Sequence, residues 1–296
     1  MNGINSILCV VDPTGPSGGP AIEKAATLAQ AFNAALELLI CSVPPMAADQ
    51  DAVLSRQLEA WAVPLRTRCP GISTRLIIGE SLHRALLQYI QGSTFDLVVK
   101  DTHPQAFAQR AFGRTVDWHL VRACAPPLLL THPRAWNPTP VILACIDPTH
   151  FKDPGAVLDH CLLQDAQDLS NRLGGTLHAL HAYRHHIPAT INGRESLANA
   201  LSCEPLEAEA LARLARVGAL AEEFGVSPNH MHLSTTGVRD AIVRTAVEQH
   251  TDIVVMGALS RATPLTLCLG HEADHVLDQL QCDVLVVKVP DFTSAR

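Results

Sequence analysis

The feature of this sequence that most constrains its fold is an internal repeat, in which short apolar segments recur in the same order. Residues 7–13 recur as 142–148, residues 95–99 as 251–255, and residues 127–130 as 284–287. A stretch rich in proline, residues 133–140, separates the two sets and is typical of a linker. The repeat therefore predicts two units of one fold, over residues 1–134 and 139–290 of the 296-residue chain.

Each half alternates short apolar segments with segments of helical periodicity. The apolar segments predict strands at residues 36–43, 75–78, 97–100 and 128–131 of the first half and at 177–182, 230–234, 253–256 and 284–288 of the second. Apolar strands that are covered on both faces by helices form parallel, doubly wound sheets. The sequence thus predicts an α/β protein of two tandem Rossmann-like units, each a five-stranded parallel sheet that binds ligands at the carboxyl ends of its strands. The second unit carries an insertion at residues 184–205, which predicts a loop or lid.

Composition and charge argue against several functional classes. The net charge of −7 disfavours non-specific binding to nucleic acid or acidic lipid. No apolar run approaches the ~20 residues that span a bilayer, and the first residues lack the basic and apolar segments of a secretion signal. The nine cysteines include no C-x-x-C pair, and Cys9, Cys41, Cys145 and Cys282 lie in or beside apolar runs. We therefore expect a cytoplasmic protein without nucleic-acid or membrane partners.

The most informative motif follows the fourth predicted strand of the second half. It consists of Gly257, two residues, Ser260, nine residues that begin with Arg261, and then Gly270 and His271. This spacing resembles that of the universal stress proteins that bind ATP, which have a glycine at all three positions and Ser or Thr after the last. Gly257, Arg261 and Gly270 match that pattern, whereas Ser260 and His271 depart from it. In the family, such glycines let backbone N–H groups approach phosphates at a helix N-terminus.

The resemblance extends along essentially the whole chain and is closest to the tandem, E-type members of the family. It implies two units related to the adenine nucleotide alpha hydrolases, packed against each other as a pseudo-dimer. It also implies a role in stress response, with ATP or another nucleotide-containing ligand, accompanied if at all by Mg²⁺, bound in the second half. Asp147 matches the aspartate that contacts the adenine end, and Ala182 lies where the adenine pocket closes.

The first half departs further from the nucleotide motif. Asp101 and Pro104 stand where the motif has glycines, and Gly113 matches the third glycine only approximately. A carboxylate at the phosphate end and a proline without an N–H both disfavour a phosphate cradle. We therefore expect no nucleotide site in the first half. For Asp12, which occupies the position of Asp147, we prefer the interpretation that it caps the following loop.

Catalytic machinery is not evident. Residues 271–275 satisfy the zinc pattern H-E-x-x-H, in which His271 and His275 would share a helix face. No third ligand is evident after them, so this pair is only a weak metal candidate and no metal is required beyond the Mg²⁺ of a nucleotide. No Ser-His-Asp, nucleophile-elbow or paired-carboxylate arrangement stands out. The sequence therefore predicts no catalytic residues, and slow ATP hydrolysis is the most that we expect.

Four of the other histidines of the second half, His178, His181, His185 and His186, are interpreted as surface polar groups. His178 and His181 are expected on opposite faces of a strand.

An alternative function stays open. The departures from the glycine motif favour the alternative of a regulatory scaffold that binds no nucleotide and acts through protein partners. Because edge strands of such sheets pair readily, a homodimer is a further expectation.

Overall fold

A computed structural model describes residues 3–14, 19–44, 49–102, 116–148, 156–182, 204–257 and 279–288. Within these ranges the chain forms ten strands and seven α-helices. The strands are β1 (Ser6–Val10), β2 (Ala35–Ser42), β3 (Ile72–Ile78), β4 (Leu97–Asp101), β5 (Leu128–Thr131), β6 (Val141–Cys145), β7 (Thr176–Ala182), β8 (Met231–Ser234), β9 (Ile253–Gly257) and β10 (Asp283–Val287). The helices are α1 (Pro20–Phe32), α2 (Gln50–Ala62), α3 (Leu82–Gln91), α4 (Val116–Ala123), α5 (Val157–Leu173), α6 (Glu204–Glu223) and α7 (Val238–Glu248).

All ten strands belong to one sheet, in the order β3-β2-β1-β4-β5-β10-β9-β6-β7-β8. Within each half the strands run parallel and follow the same order, so the predicted tandem α/β architecture is confirmed. The halves join where β5 and β10 pair antiparallel, for example through Leu129 and Leu285. No pattern in the sequence predicts this joint. It covers two buried, mostly apolar edge strands that would otherwise expose unpaired backbone groups.

Helices cover both faces of the sheet and divide the core into two layers. The buried residues of α1, α2, α5 and α6 pack together on one face, and those of α3, α4 and α7 pack on the other. Successive strand residues alternate between the layers, since Cys9 joins the first and Leu8 the second. The inner strands therefore bury both of their faces, which is why they read as continuous apolar segments. None of the described helices is long and apolar enough to cross a membrane.

The repeat is visible in the hydrogen bonds as well as in the sequence. Asp96, just before β4, accepts hydrogen bonds from the backbone N–H groups of Asn5 and Ser6 at 2.8 and 3.1 Å. Its counterpart Asp252, just before β9, accepts one from the N–H of Val141 at 2.9 Å. In both halves an aspartate thus anchors the start of the central strand, which is β1 in the first half and β6 in the second.

A buried polar cluster centred on Asp283 ties the two halves together. The Lys24 ammonium of α1 donates to its carboxylate at 2.7 Å, as does the backbone N–H of His132, and the Trp136 indole N–H donates at 2.8 Å. Burial raises the pKa of Asp283, and Lys24 opposes that shift. Because the side chains of Lys24 and Asp283 are 7% and 1% exposed, removal of either partner would leave a buried charge, at a cost of about 3–5 kcal/mol.

The strand boundaries differ most from prediction at β3, which begins at Ile72 rather than at residue 75. This strand lies at the edge of the sheet, and its extent follows its pairing with β2 rather than its own apolarity. The surface interpretation of His178 and His181 is wrong, because they are only 7% and 1% exposed. Their strand β7 lies between β6 and β8, and helices cover it on both faces. His185 and His186 lie outside the described residues.

Candidate functional site

A cavity of about 200 Å³ opens at the carboxyl ends of β6, β7 and β9 in the second half. Most of its described wall is apolar and is formed by Leu158, Leu162, Leu180, Val238, Ile242 and Met256. The carboxyl groups of Asp147 and Asp159 are the charged groups among its described lining residues. Because β6 and β9 lead to strands on opposite sides, the cavity lies where doubly wound sheets bind their ligands.

Asp159 positions the chain that leaves β6. This residue lies in the first turn of α5 and is only 5% exposed. Its Oδ1 accepts a hydrogen bond from the backbone N–H of Asp147 at 2.8 Å. The positive end of the helix dipole stabilises a carboxylate at this place. The loop after β6 is thereby held so that the half-exposed side chain of Asp147 stands at the cavity.

His181 supports the same loop from β7. Its Nδ1 lies 3.1 Å from the carbonyl oxygen of Ile146 and 3.9 Å from Oδ1 of Asp147. Since a carbonyl oxygen can only accept, Nδ1 carries the proton and donates it to Ile146. The imidazole therefore fixes the backbone next to Asp147.

Gly257 closes β9 and lies against α5. A Cβ atom at this position would lie 2.6 Å from Cδ2 of Leu158, so the absence of a side chain permits the close approach of the helix. Gly257 joins Asp147 and Ala182, the last residue of β7, around the one cavity. The structure thus brings together three of the predicted site residues. The other four, Ser260, Arg261, Gly270 and His271, lie outside the described residues, as does His275.

The equivalent end of β4 in the first half is filled by Asp101. Its carboxylate is 6% exposed and accepts hydrogen bonds from the N–H of Ala21, in the first turn of α1, at 2.8 Å and from the Thr131 hydroxyl at 2.6 Å. A Cβ atom on Gly19, whose φ is +80°, would lie 2.0 Å from the other carboxylate oxygen. This arrangement supports the expectation that the first half binds no nucleotide, which stays a prediction. Asp12 caps the next loop as expected, by accepting from the N–H and hydroxyl of Thr14.

The cavity wall offers binding groups rather than a nucleophile. Burial, with a smaller contribution from Cys282, raises the pKa of Cys145 to about 12, so this thiol stays protonated at neutral pH. None of the seven cysteines within the described ranges forms a disulfide bond there. No group of three or more His, Cys, Asp or Glu side chains there is placed to hold a metal ion.

Sequence reasoning missed Asp159 and the supporting role of His181. The signal for Asp159 was an acidic residue in the first turn of the helix that follows β6, but such residues are common because they suit the helix dipole. The signal for His181 was its place in an apolar strand, one residue before the predicted pocket residue Ala182.

Comparison with known proteins agrees with this tandem α/β architecture. Residues 142–288 match the model of the Universal stress protein family. Universal stress protein E of Escherichia coli (strain K12) is 27% identical over 209 residues, which cover 70% of this chain but only 65% of that relative. Universal stress protein E of Photorhabdus laumondii is 21% identical over 99% of this chain and 97% of its own length.

Solved structures show the same fold over nearly the full chain. A candidate universal stress protein from Pseudomonas aeruginosa UCBPP-PA14 superimposes with a TM-score of 0.77 at 26% identity, covering 97% of this chain and 94% of that one. A universal stress protein from Archaeoglobus fulgidus superimposes with a TM-score of 0.62 at 14% identity, covering 96% of each chain. The fold thus defines a class, the tandem Rossmann-like proteins. Within that class, the second half of this chain, residues 142–288, belongs to the universal stress protein family, and the chain is similar to the family's E members over most of its length.

Proposed function

We propose that this protein acts in stress response by binding a nucleotide or nucleotide-containing ligand, with ATP as the first candidate, in its second half. The observation that carries the proposal is the cavity at the ends of β6 and β9, where the second half has Gly257 and an apolar wall in place of the buried Asp101 carboxylate of the first half. The proposed site comprises Asp147, Ala182 and Gly257 in that cavity, together with Ser260, Arg261, Gly270 and His271 of the glycine motif.

The chemistry of the wall suits the base and sugar of such a ligand. Leucine, isoleucine and methionine side chains offer dispersion contacts to the faces of a base, and Asp147 offers an acceptor to a ribose hydroxyl or a base N–H. Two carboxylates on one wall would repel phosphates. The phosphates would therefore extend away from Asp147, toward the motif that carries Arg261, with Mg²⁺ offsetting part of their charge.

The proposal also includes how the protein is organised and where it works. The functional units would be residues 1–134 and 139–290, with the nucleotide confined to the second unit. A cytoplasmic location is supported by the free thiols of the described cysteines, several of which are buried. The edge strands β3 and β8 are where a homodimer would form.

A second candidate function is a regulatory scaffold that acts through protein partners and binds no nucleotide. The observation that favours it is Asp101, which fills one of the two equivalent positions with a buried and fully hydrogen-bonded carboxylate. The departures at Ser260 and His271 point the same way for the second half.

Native mass spectrometry of freshly purified protein, followed by calorimetric titration with ATP and with a UDP-linked ligand, separates the two functions. We expect a co-purifying nucleotide or saturable binding that weakens at least tenfold in Asp147→Asn. The matched control is Asp12→Asn, the same change at the equivalent position of the first half, which should leave affinity unchanged. If no mass is bound and neither ligand binds, the scaffold function gains the support.

A further inference from the structure

Three histidines form a cluster at the amino-terminal edge of β7 and β8, away from the ligand cavity. They are His178 of β7, His230 at the end of the 3₁₀ turn Pro228–His230, and His232 of β8, and we call them the histidine stack. The ring of His178 lies parallel to that of His230 at a centroid distance of 4.3 Å and to that of His232 at 5.1 Å. His178 is buried, and the other two are half-buried.

The stack depends on its protonation state. Nδ1 of His178 and Nε2 of His232 lie 2.9 Å apart, which is a hydrogen-bond distance. One of these atoms must donate and the other must accept, so the bond requires a proton on one nitrogen and a lone pair on the other. If both rings are fully protonated, two N–H groups point at each other and two positive charges meet in a buried place. The geometry therefore excludes two fully protonated rings.

Electrostatics and burial act in the same direction. Burial, together with smaller contributions from the neighbouring His230 and His232, lowers the pKa of His178 to about 4. Burial also lowers the pKa of His232, with His230 adding to the shift and Glu248 opposing it. A histidine whose pKa is lower in the folded state stabilises the fold above its unfolded pKa of about 6.5, and that stability is lost as pH falls toward the folded value.

The charged groups that face the stack come from α7, which packs on the same face of β7. Glu248, in the last turn of α7, is the carboxylate near His232. It forms an i,i+4 ion pair with Arg244 at 3.7 Å, and Arg244 also donates to the Ser234 hydroxyl of β8 at 3.3 Å. From β6 and β7 the described neighbours on this face are apolar, namely Leu143 and Leu180. Among the described residues, Glu248 is therefore the group that favours a protonated stack, and Arg244 already engages it.

The strand that the stack holds is weakly attached. β8 has four residues, pairs only with β7 in the described sheet, and forms its edge. Its residue Leu233 is half-exposed on the opposite face. Short edge segments with few buried apolar contacts are the first to open in native proteins. The contact of His232 with His178 is one of the side-chain contacts that hold this strand, beside its backbone pairing with β7 and the hydrogen bond from Arg244 to Ser234.

We propose that the histidine stack is an acid-operated latch on strand β8: the neutral rings hold β8 against β7, and protonation of the stack releases it. Release frees the backbone edge of β7, so the same protein presents a different sheet edge under acid conditions than at neutral pH. The latch lies at the opposite end of the strands from Ala182 and does not depend on ligand binding.

Hydrogen exchange measured by mass spectrometry at pH 7.5 and pH 5.0, corrected for intrinsic rates, tests the latch. If His178 titrates near 4 when β8 is closed and near 6.5 when it is open, opening should become tenfold to thirtyfold more favourable at pH 5.0. We expect the protection of β8 to fall by that factor, while β3, the opposite edge strand, which contains no histidine, serves as the internal reference. Equal changes in β3 and β8 would overturn the proposal.

Two variants complete the test. His178→Phe keeps a flat ring in the stack but cannot be protonated, so the acid-induced loss of protection in β8 should shrink to the part that His232 contributes. His250→Asn, a change of an exposed histidine whose φ of 50° asparagine adopts readily, should leave the loss intact. An unaltered loss in His178→Phe refutes the latch. Should that variant fail to fold, an NMR titration of the wild-type His178 ring decides instead, and a pKa at or above 6.5 refutes the latch.

Discussion

The carboxyl ends of β4 and β9 occupy equivalent positions in the two halves but carry different residues in different surroundings. The Asp101 carboxylate is buried and accepts hydrogen bonds from α1 and Thr131, whereas Gly257 borders a cavity lined by α5. The backbone topology at the two places is the same. The comparison teaches that one side chain at a strand end can build an internal hydrogen-bond network at the place where the other half has a cavity.

The largest expected effect comes from removal of the Asp101 carboxylate. Asp101→Ala leaves the N–H of Ala21 and the hydroxyl of Thr131 without their acceptor in a buried place, which should lower the free energy of unfolding by about 2–4 kcal/mol. Asp101→Asn, which keeps an oxygen acceptor, should cost less than half as much. Urea unfolding followed by circular dichroism measures both, and a change below about 1 kcal/mol in Asp101→Ala would show that the network does not hold the first half.

The reciprocal change in the second half should act on binding rather than on folding. Gly257→Asp introduces a side chain and a negative charge into the proposed ligand cavity, and we expect ATP to bind about a hundredfold more weakly, which corresponds to about 2.7 kcal/mol. Gly257→Ala is the matched control for size, because its methyl group meets only the movable end of Leu158. Calorimetric titration compares the two variants, and equal affinities in wild type and Gly257→Asp would contradict the proposed site.

A smaller effect measures how tightly Asp101 fills its place. Gly19→Ala puts a Cβ atom within 2.0 Å of the Asp101 carboxylate and strains a backbone with a φ of +80°. In the Asp101→Ala background the clash is gone and only the backbone strain remains. We therefore expect the cost of Gly19→Ala to be about 1–2 kcal/mol lower in that background. A double-mutant cycle in urea gives the coupling, and additive costs would mean that the carboxylate can move aside freely.

Much of the fold could be predicted from the sequence. The repeat indicated two equivalent units, and the continuous apolar segments indicated strands that are buried on both faces. Pro20 at the start of α1 and Gly225 after the end of α6, with a φ of 73°, also occupy places where helix ends favour proline and glycine. The antiparallel pairing of β5 with β10 was not predictable, since an apolar edge strand does not name its partner. The start of β3 was not predictable either, because it is set by the pairing of this strand with β2, which the local composition does not determine.

The candidate site was only partly predictable for a related reason. Asp147, Ala182 and Gly257 belong to short motifs at strand ends, where position in the chain determines position in space. Asp159 and His181 act through contacts with the backbone of β6, and such contacts depend on how α5 and β7 pack beside it. The burial of His178 likewise depends on α7 and β8, which come some 55 to 70 residues later in the chain.

The joint between β5 and β10 has one further consequence. A protein assembled from two identical chains must carry every substitution twice, so an aspartate that fills one cavity would fill its symmetry mate as well. Here the two copies are encoded in a single chain and meet in one continuous sheet. Each copy is therefore free to change alone, and the half with Asp101 could become a permanent built-in partner for the half with Gly257.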